Sequence, residues 1–225
     1  AGNLMWSKTY FPEPTYGDNA SRDMIKTSDS GYMIFSTTNR IIKTDILGDT
    51  LWTKTYNLGR IYSGNQTADG GYIITGNSQP GGNHIFLLKT DSLGNQIFNK
   101  SYIPSFNCND IFANNVIITQ DGGYLISALI ECSSSPFLYI IKTNSLGDTL
   151  WTNKLGNPYG WSNTIGDNIQ QTNDGGYIVT GSGGNSNSIG NTILIKINHL
   201  GTFSSINELS LKNNKELLKV RDLLG

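Results

Sequence analysis

Three segments of this chain read Asp-Gly-Gly-Tyr, starting at Asp69, Asp121 and Asp174, and a fourth, Asp29-Ser30-Gly31-Tyr32, differs by one glycine. A second marker follows each of them: IIKTDILG at 41–48, LLKTDSLG at 87–94, IIKTNSLG at 140–147 and LIKINHLG at 194–201. A third comes next, in Leu51-Trp52-Thr53-Lys54-Thr55-Tyr56, Ile97-Phe98-Asn99-Lys100-Ser101-Tyr102 and Leu150-Trp151 leading to Leu155. The chain also opens on this third marker, with Met5-Trp6-Ser7-Lys8-Thr9-Tyr10. Four copies of a unit of roughly 50 residues demand a repeat architecture, since each copy must find the same surroundings.

Each unit reads as four strands. Strand a ends in Thr27, Thr67, Thr119 or Thr172, and an Asp-Gly turn leads into strand b, such as Tyr72-Ile73-Ile74-Thr75. Asp-Gly between β-rich runs is a strong hairpin signal. Strand c carries the Lys-Thr marker, and a turn on Gly48, Gly94, Gly147 or Gly201 leads to strand d. Strands b and c are apolar on both faces, so their sheets must be covered on both sides. Four-stranded antiparallel sheets that repeat radially make an all-β fold, a β-propeller. A linear β-solenoid is the alternative, but its repeats are shorter.

The blade arithmetic predicts four blades over residues 1–203, with repeats near 11–56, 57–102, 103–155 and 156–203. Thr202-Phe203-Ser204-Ser205 makes a poor fourth strand d, so residues 1–10 are expected to close the ring, unless upstream blades enlarge it. Residues 204–225 form a separate tail.

Composition narrows the function classes. Charged residues are 15% of the 225, where about 25% is usual, and the net charge is −1. A nucleic-acid binder would show a basic stripe, so none is expected, and no apolar run reaches the ~18 residues of a membrane span. The start at Ala1, without Met or a signal-like segment, is expected of a processed protein. Cys108 and Cys132 flank one hairpin about three positions out of register, which leaves a disulfide and a pair of buried thiols equally open.

A repeat supplies its own control: what recurs in every blade serves the scaffold. Lys43, Lys89, Lys142 and Lys196 sit in mid-strand, where each amine is expected to reach an Asp or a backbone carbonyl. The turn from Asp45 to Asp49 offers oxygens for calcium but too few ligands, and neither a metal nor a cofactor is expected. All length variation falls in the b–c and d–a connections, which share one face of the disc. Binding is expected there. The candidate ligand contacts are Trp161, Tyr159, Phe106, Tyr62, His84 and Arg60, aromatic plates and polar groups that suit sugar rings; the alternative for the aromatics is that they anchor the loops over the blade tops. His84 and His199 fall on opposite faces, so they form no acid–base pair. No nucleophile elbow, zinc helix or phosphate loop appears, and no catalytic residue is assigned. Glu13, Asp18, Asp110, Glu131 and Asp167 lie on the variable face, where two of them would have to meet for glycosidase chemistry.

Units of the form GDTLWTKTY, QTADGGYIITG and LLKTDSLG resemble the propeller-like repeats of secreted Bacteroidetes proteins that leave the cell by type IX secretion. The blade junction, Asp-x-x-Gly followed by Trp, is also similar to quinoprotein-type propellers. Residues 214–225 resemble the opening of a type IX C-terminal sorting domain (T9SS), here truncated. On that resemblance the stretch is a strand; by propensity, Leu217, Leu218, Arg221 and Leu224 make a helical face. The resemblance implies a secreted or cell-surface address. Together the readings lead to a monomeric, non-catalytic propeller that binds a glycan or a surface protein. The alternative is a polysaccharide hydrolase or lyase that uses loop carboxylates.

Overall fold

The computed structural model describes residues 4–10, 20–78, 84–105, 108, 110–132, 136–155, 163–184 and 191–202. The tail after 202 lies outside them, so neither a strand nor a helix is assigned there. Blade 1 holds β1 (Ser21–Lys26), β2 (Tyr32–Ser36), β3 (Arg40–Thr44) and β4 (Thr50–Thr55). Blade 2 holds β5 (Gly59–Gln66), β6 (Tyr72–Ser78), β7 (Ile85–Thr90) and β8 (Gln96–Tyr102). Blade 3 holds β9 (Asp110–Ile118), β10 (Tyr124–Glu131), β11 (Phe137–Thr143) and β12 (Thr149–Leu155). A fourth sheet has β13 (Asn163–Gln171), β14 (Tyr177–Gly184) and β15 (Asn191–Ile197). Every sheet is antiparallel and ordered as in sequence, so each blade is a meander.

The core lies between sheets. Met33, Phe35 and Ile41 of blade 1 pack on Ile61, Tyr72, Ile74, Phe86 and Leu88 of blade 2. Ile73, Ile85 and Leu87 point the other way, onto Val116, Tyr124, Ile126 and Ile141 of blade 3. Leu125, Leu138 and Ile140 then meet Ile169, Tyr177, Val179 and Ile195. Because neighbouring residues serve opposite interfaces, strands b and c read as unbroken apolar runs.

The repeated markers are the joints of these interfaces. Trp52 and Lys54 share one face of β4, with Tyr56 next in the same alternation, and all three reach forward to blade 2. Trp52 meets the Tyr72 ring at 6.2 Å, Lys54 Nζ donates to Asn95 Oδ1 at 3.0 Å, and Tyr56 Oη donates to the Gly94 carbonyl at 2.7 Å. Lys100 to Asp148 and Tyr102 to the Gly147 carbonyl repeat the pattern onto blade 3. Trp151 repeats it onto Tyr177. Gly94 is held at φ +76°, directly beneath the Trp52 ring. A β-carbon there would meet the Trp52 ring and the Lys54 side chain, at a φ that L side chains rarely adopt.

Residues 4–10 lie on blade 1 as these strands lie on their successors. Trp6 meets Tyr32 at 6.2 Å, Lys8 pairs with Asp49 at 2.6 Å, and Tyr10 donates to the Gly48 carbonyl. The segment is not paired into β15, which carries no fourth strand among the described residues. β1 packs on β5, β5 on β9 and β9 on β13, whereas no comparable packing joins β13 to β1 among the described residues. The closure expected from residues 1–10 is therefore not formed there, and the blades make an arc.

Candidate functional site

One face of the arc is built four times over. In each a–b turn an Asp side chain (Asp29, Asp69, Asp121, Asp174) accepts from the preceding Thr hydroxyl and the following Gly amide. The Lys of strand c, buried in blades 1 to 3 and half-buried in the fourth sheet, donates to that same carboxylate and, in blades 1 to 3, to the next backbone carbonyl. Both acceptors expected for these amines are thus used. Lys43 and Lys89 hold Asp29 and Asp69 down to about 2 by their hydrogen bonds. At Asp121 burial pulls the other way and is outweighed by Lys142 and Thr119, again giving about 2.

The c–d turns are equally uniform. Asp45, Asp91, Asn144 and Asn198 each accept from two backbone amides of their own turn. Either side chain makes this turn, which explains why the fourth copy needs no carboxylate. His199 sits in the last of them, exposed on this uniform face.

The opposite face differs in each blade. In blade 2, Arg60 is exposed on β5, opposite Asn77. His84 Nδ1 lies 3.3 Å from Ser101 Oγ, and the His84 carbonyl accepts from Ser78 N. In blade 3, Asp110 and Glu131 are exposed directly opposite each other across β9 and β10, and Lys154 Nζ stands 3.9 Å over the Phe137 ring. Among the described residues no cluster of three or more His, Cys, Asp or Glu side chains is placed to hold a metal ion.

Cys108 and Cys132 form a disulfide at this end of blade 3, joining the approach to β9 with the exit from β10. A register shift between Ser127 and Leu129 removes one position of the offset expected from the turn. Closing a loop of this length restricts the unfolded chain. Replacing both cysteines by Ser is expected to cost about 3 kcal/mol, read as a lower urea midpoint.

Tyr62 departs from its expected place. It was expected on a loop, but it is the extra residue of a bulge in β5, where the register shifts between Ile61 and Ser63. A bulge re-aims its side chain, and Tyr62 is buried edge-on against Phe112, with the Arg22 guanidinium 5.6 Å from its ring centroid. It offers no exposed plate. Trp161, Tyr159 and Phe106 lie outside the described residues, as do Glu13 and Asp18. The structure therefore places Arg60 and His84 at the variable end of blade 2 without bringing them into contact.

A polar line along the inner strands is marked by none of the repeated motifs. Asp23 accepts from Ser63 Oγ at 2.8 Å and from the Gly64 amide, and Asn115 Nδ2 reaches Ser63 Oγ. Asp23, Ser63 and Asn115 each stand four residues before the repeated Thr. Aligning strand a on that Thr would have found them.

No protein-family model matches the chain, and neither does any curated protein. Solved structures do match. The Dos1 propeller superposes at a TM-score of 0.53 with 10% identity, over 83% of this chain and 46% of that one. The endo-arabinase of Bacteroides thetaiotaomicron gives 0.52 with 15% identity, over 77% and 72%. The fold is a β-propeller. At these identities the likeness extends to the fold alone. PorZ, a surface component of the type IX secretion system of Porphyromonas gingivalis, aligns over 79% of this chain and 28% of its own at 0.48 and 13% identity, too weakly to bear on function. Four described sheets account for about half of the Dos1 propeller, so the blade number of the complete ring is not set by these matches.

Proposed function

We propose that this propeller is a non-catalytic binding module outside the cytoplasm, and that its variable face takes a glycan. The asymmetry of the two faces carries the reading: one repeats a single hydrogen-bonded turn plan, while the other differs blade by blade and is pinned by a disulfide. A disulfide suits an oxidising compartment, which agrees with the secreted, type IX-like character of the repeats. Trp161, Tyr159 and Phe106 would supply the stacking plates, and Arg60 and His84 polar contacts at the edge of blade 2. No metal or other cofactor enters this scheme.

Thermal-shift screening against algal, plant and microbial polysaccharides tests it. A rise in melting temperature with one of them is expected, and Trp161→Ala is expected to abolish the rise while leaving the unliganded midpoint in place. Absence of a shift with every polysaccharide would overturn the glycan reading in favour of a surface-protein ligand.

The opposed carboxylates of Asp110 and Glu131 support a second reading, a hydrolase or lyase acting on polysaccharide. Like charges directly across a strand pair oppose folding, a cost that a catalytic pair would explain. Released oligosaccharide that disappears in Asp110→Asn would favour it over simple binding.

A further inference from the structure

A bulge recurs at one place in each described inner strand. The register shifts between Ser21 and Asp23 in β1, between Ile61 and Ser63 in β5, and between Gly166 and Asn168 in β13. The shift in β9, which faces Ser127 to Leu129, takes in Asn114. Arg22, Tyr62, Asn114 and Asp167 each stand five residues before the repeated Thr. The scaffold thus repeats the bulge while its residue changes from blade to blade. Bulges re-aim side chains and gather next to active sites, so a fixed bulge with a varied residue points to contacts outside the scaffold.

In blades 1 and 2 the bulges meet. Arg22 is exposed, and its guanidinium stands 5.6 Å from the centroid of the Tyr62 ring in the next blade. Phe112 in turn holds Tyr62 edge-on at 6.1 Å. A cation over a ring is held by the π-electrons, and among the described residues no acceptor engages the Arg22 guanidinium. The adjacent Asp23 carboxylate is turned to the Met24 and Gly64 amides and the Ser63 hydroxyl. Arg60 is exposed two residues before Tyr62, also without a carboxylate partner among the described residues.

The charges of the arc are sorted by face. All three arginines among the described residues, Arg22, Arg40 and Arg60, lie at the variable end of blades 1 and 2. The six ion pairs of the uniform face use lysine throughout. Blade 3 presents the exposed carboxylates of Asp110 and Glu131 at the variable end. Arginine is suited to its place, because its planar fork meets two oxygens of a carboxylate or sulfate at once.

We infer that Arg22 and Arg60 hold the acidic groups, carboxylate or sulfate, of an anionic polysaccharide at the variable end of blades 1 and 2. The inference rests on the glycan reading above and names its ligand class. Tyr62 is then a positioning residue, which holds Arg22 in place without touching the sugar. Asp110 and Glu131 repel the same polymer and keep it away from blade 3. With a net charge of −1, the chain as a whole offers no attraction, so the binding is local.

Calorimetric titration of the whole chain with dextran, carboxymethyl-dextran and dextran sulfate tests this, since the three share one backbone. Binding of a charged dextran and not of the neutral one is expected, weakening as salt is raised. Which charged form binds tells carboxylate from sulfate. Arg22→Gln and Arg60→Gln are each expected to weaken binding about tenfold. Arg60→Lys keeps the charge without the fork and is expected to weaken it similarly. Lys26→Gln removes the same charge from the exposed, opposite end of β1, and Tyr62→Phe keeps the ring; both are expected to bind as the parent does. An equal loss in Lys26→Gln would overturn the proposal, because bulk charge would then account for binding. Silence toward both charged dextrans would overturn it too. If a neutral polysaccharide still raised the melting temperature of parent and arginine variants alike, the glycan reading would stand without it. No response to any polysaccharide would overturn both.

Discussion

Gly123→Ala is expected to destabilise the protein by about 3 kcal/mol or more, the range of severe backbone-packing defects. Its neighbour Gly122→Ala is expected to cost only about 1 kcal/mol. At an unstrained site Gly→Ala usually stabilises, because it narrows the unfolded ensemble. Gly123 has no such latitude. A β-carbon there would be driven into the Thr143 carbonyl oxygen and would stand 2.7 Å from Lys142 Nζ and 3.2 Å from Asp121 Oδ1. Backbone cannot step aside as a flexible side chain can, so strand c or the ion pair must move.

Gly122 is kept for a different reason. It sits at φ +77°, and a β-carbon added there would meet nothing within 4 Å, so only the left-handed backbone penalises Ala. The first blade shows that cost being borne, since Ser30 takes φ 69° at the equivalent place. Urea midpoints at unchanged slope separate the two effects. Equal losses at both positions would mean that the contact with Thr143 is not what requires the second glycine.

Features made by local chemistry were legible in the sequence. The Asp-Gly turns, the Lys amines that need an acceptor and the two-sided strands each follow from a few neighbouring residues. What escaped depends on pairing between distant strands. Tyr62 looks like a loop aromatic until the bulge in β5 turns it inward, and a bulge is defined by the partner strand, not by its own residues. The Cys108–Cys132 offset was ambiguous because another bulge in the same hairpin shifts the count. Asp110 and Glu131 were visible as carboxylates, but their opposition needed the register of β9 against β10. The aromatics proposed for the site were chosen because they break the repeat, and that gives no geometry by itself.

The ion pair beneath each turn leads to the other large effect. Lys142 buries its side chain to 3% exposure while Asp121 remains 57% exposed, at an Nζ–Oδ2 distance of 2.8 Å. The two partners are therefore not equivalent. Asp121→Ala strands an ammonium that has only the Thr143 carbonyl left, and it also removes the acceptor of Thr119 and Gly123. Breaking a buried pair from one side costs about 3–5 kcal/mol, and with the carboxylate half in water about 2–3 kcal/mol is expected here. Lys142→Met leaves an aspartate that water can solvate and keeps the apolar stem, so about 1 kcal/mol is expected. The loss from Asp121→Ala should shrink when Lys142→Met is already present. Equal losses in both backgrounds would mean that the stranded charge is not the cause.

The same asymmetry sets the acid limit of the fold. Asp29, Asp69 and Asp121 are held at about 2, below the unfolded value of roughly 3.9. A carboxyl lowered on folding stabilises above its unfolded value, and that contribution fades as pH falls toward the folded one. Stability is therefore expected to be flat from pH 7 to 5 and to drop between about 4 and 2, where each protonation leaves a buried lysine facing a neutral acid. Urea midpoints measured across that range check this, and Lys142→Met should flatten the drop by one blade's share. A drop that is complete above pH 4.5 would place the acid-sensitive groups elsewhere.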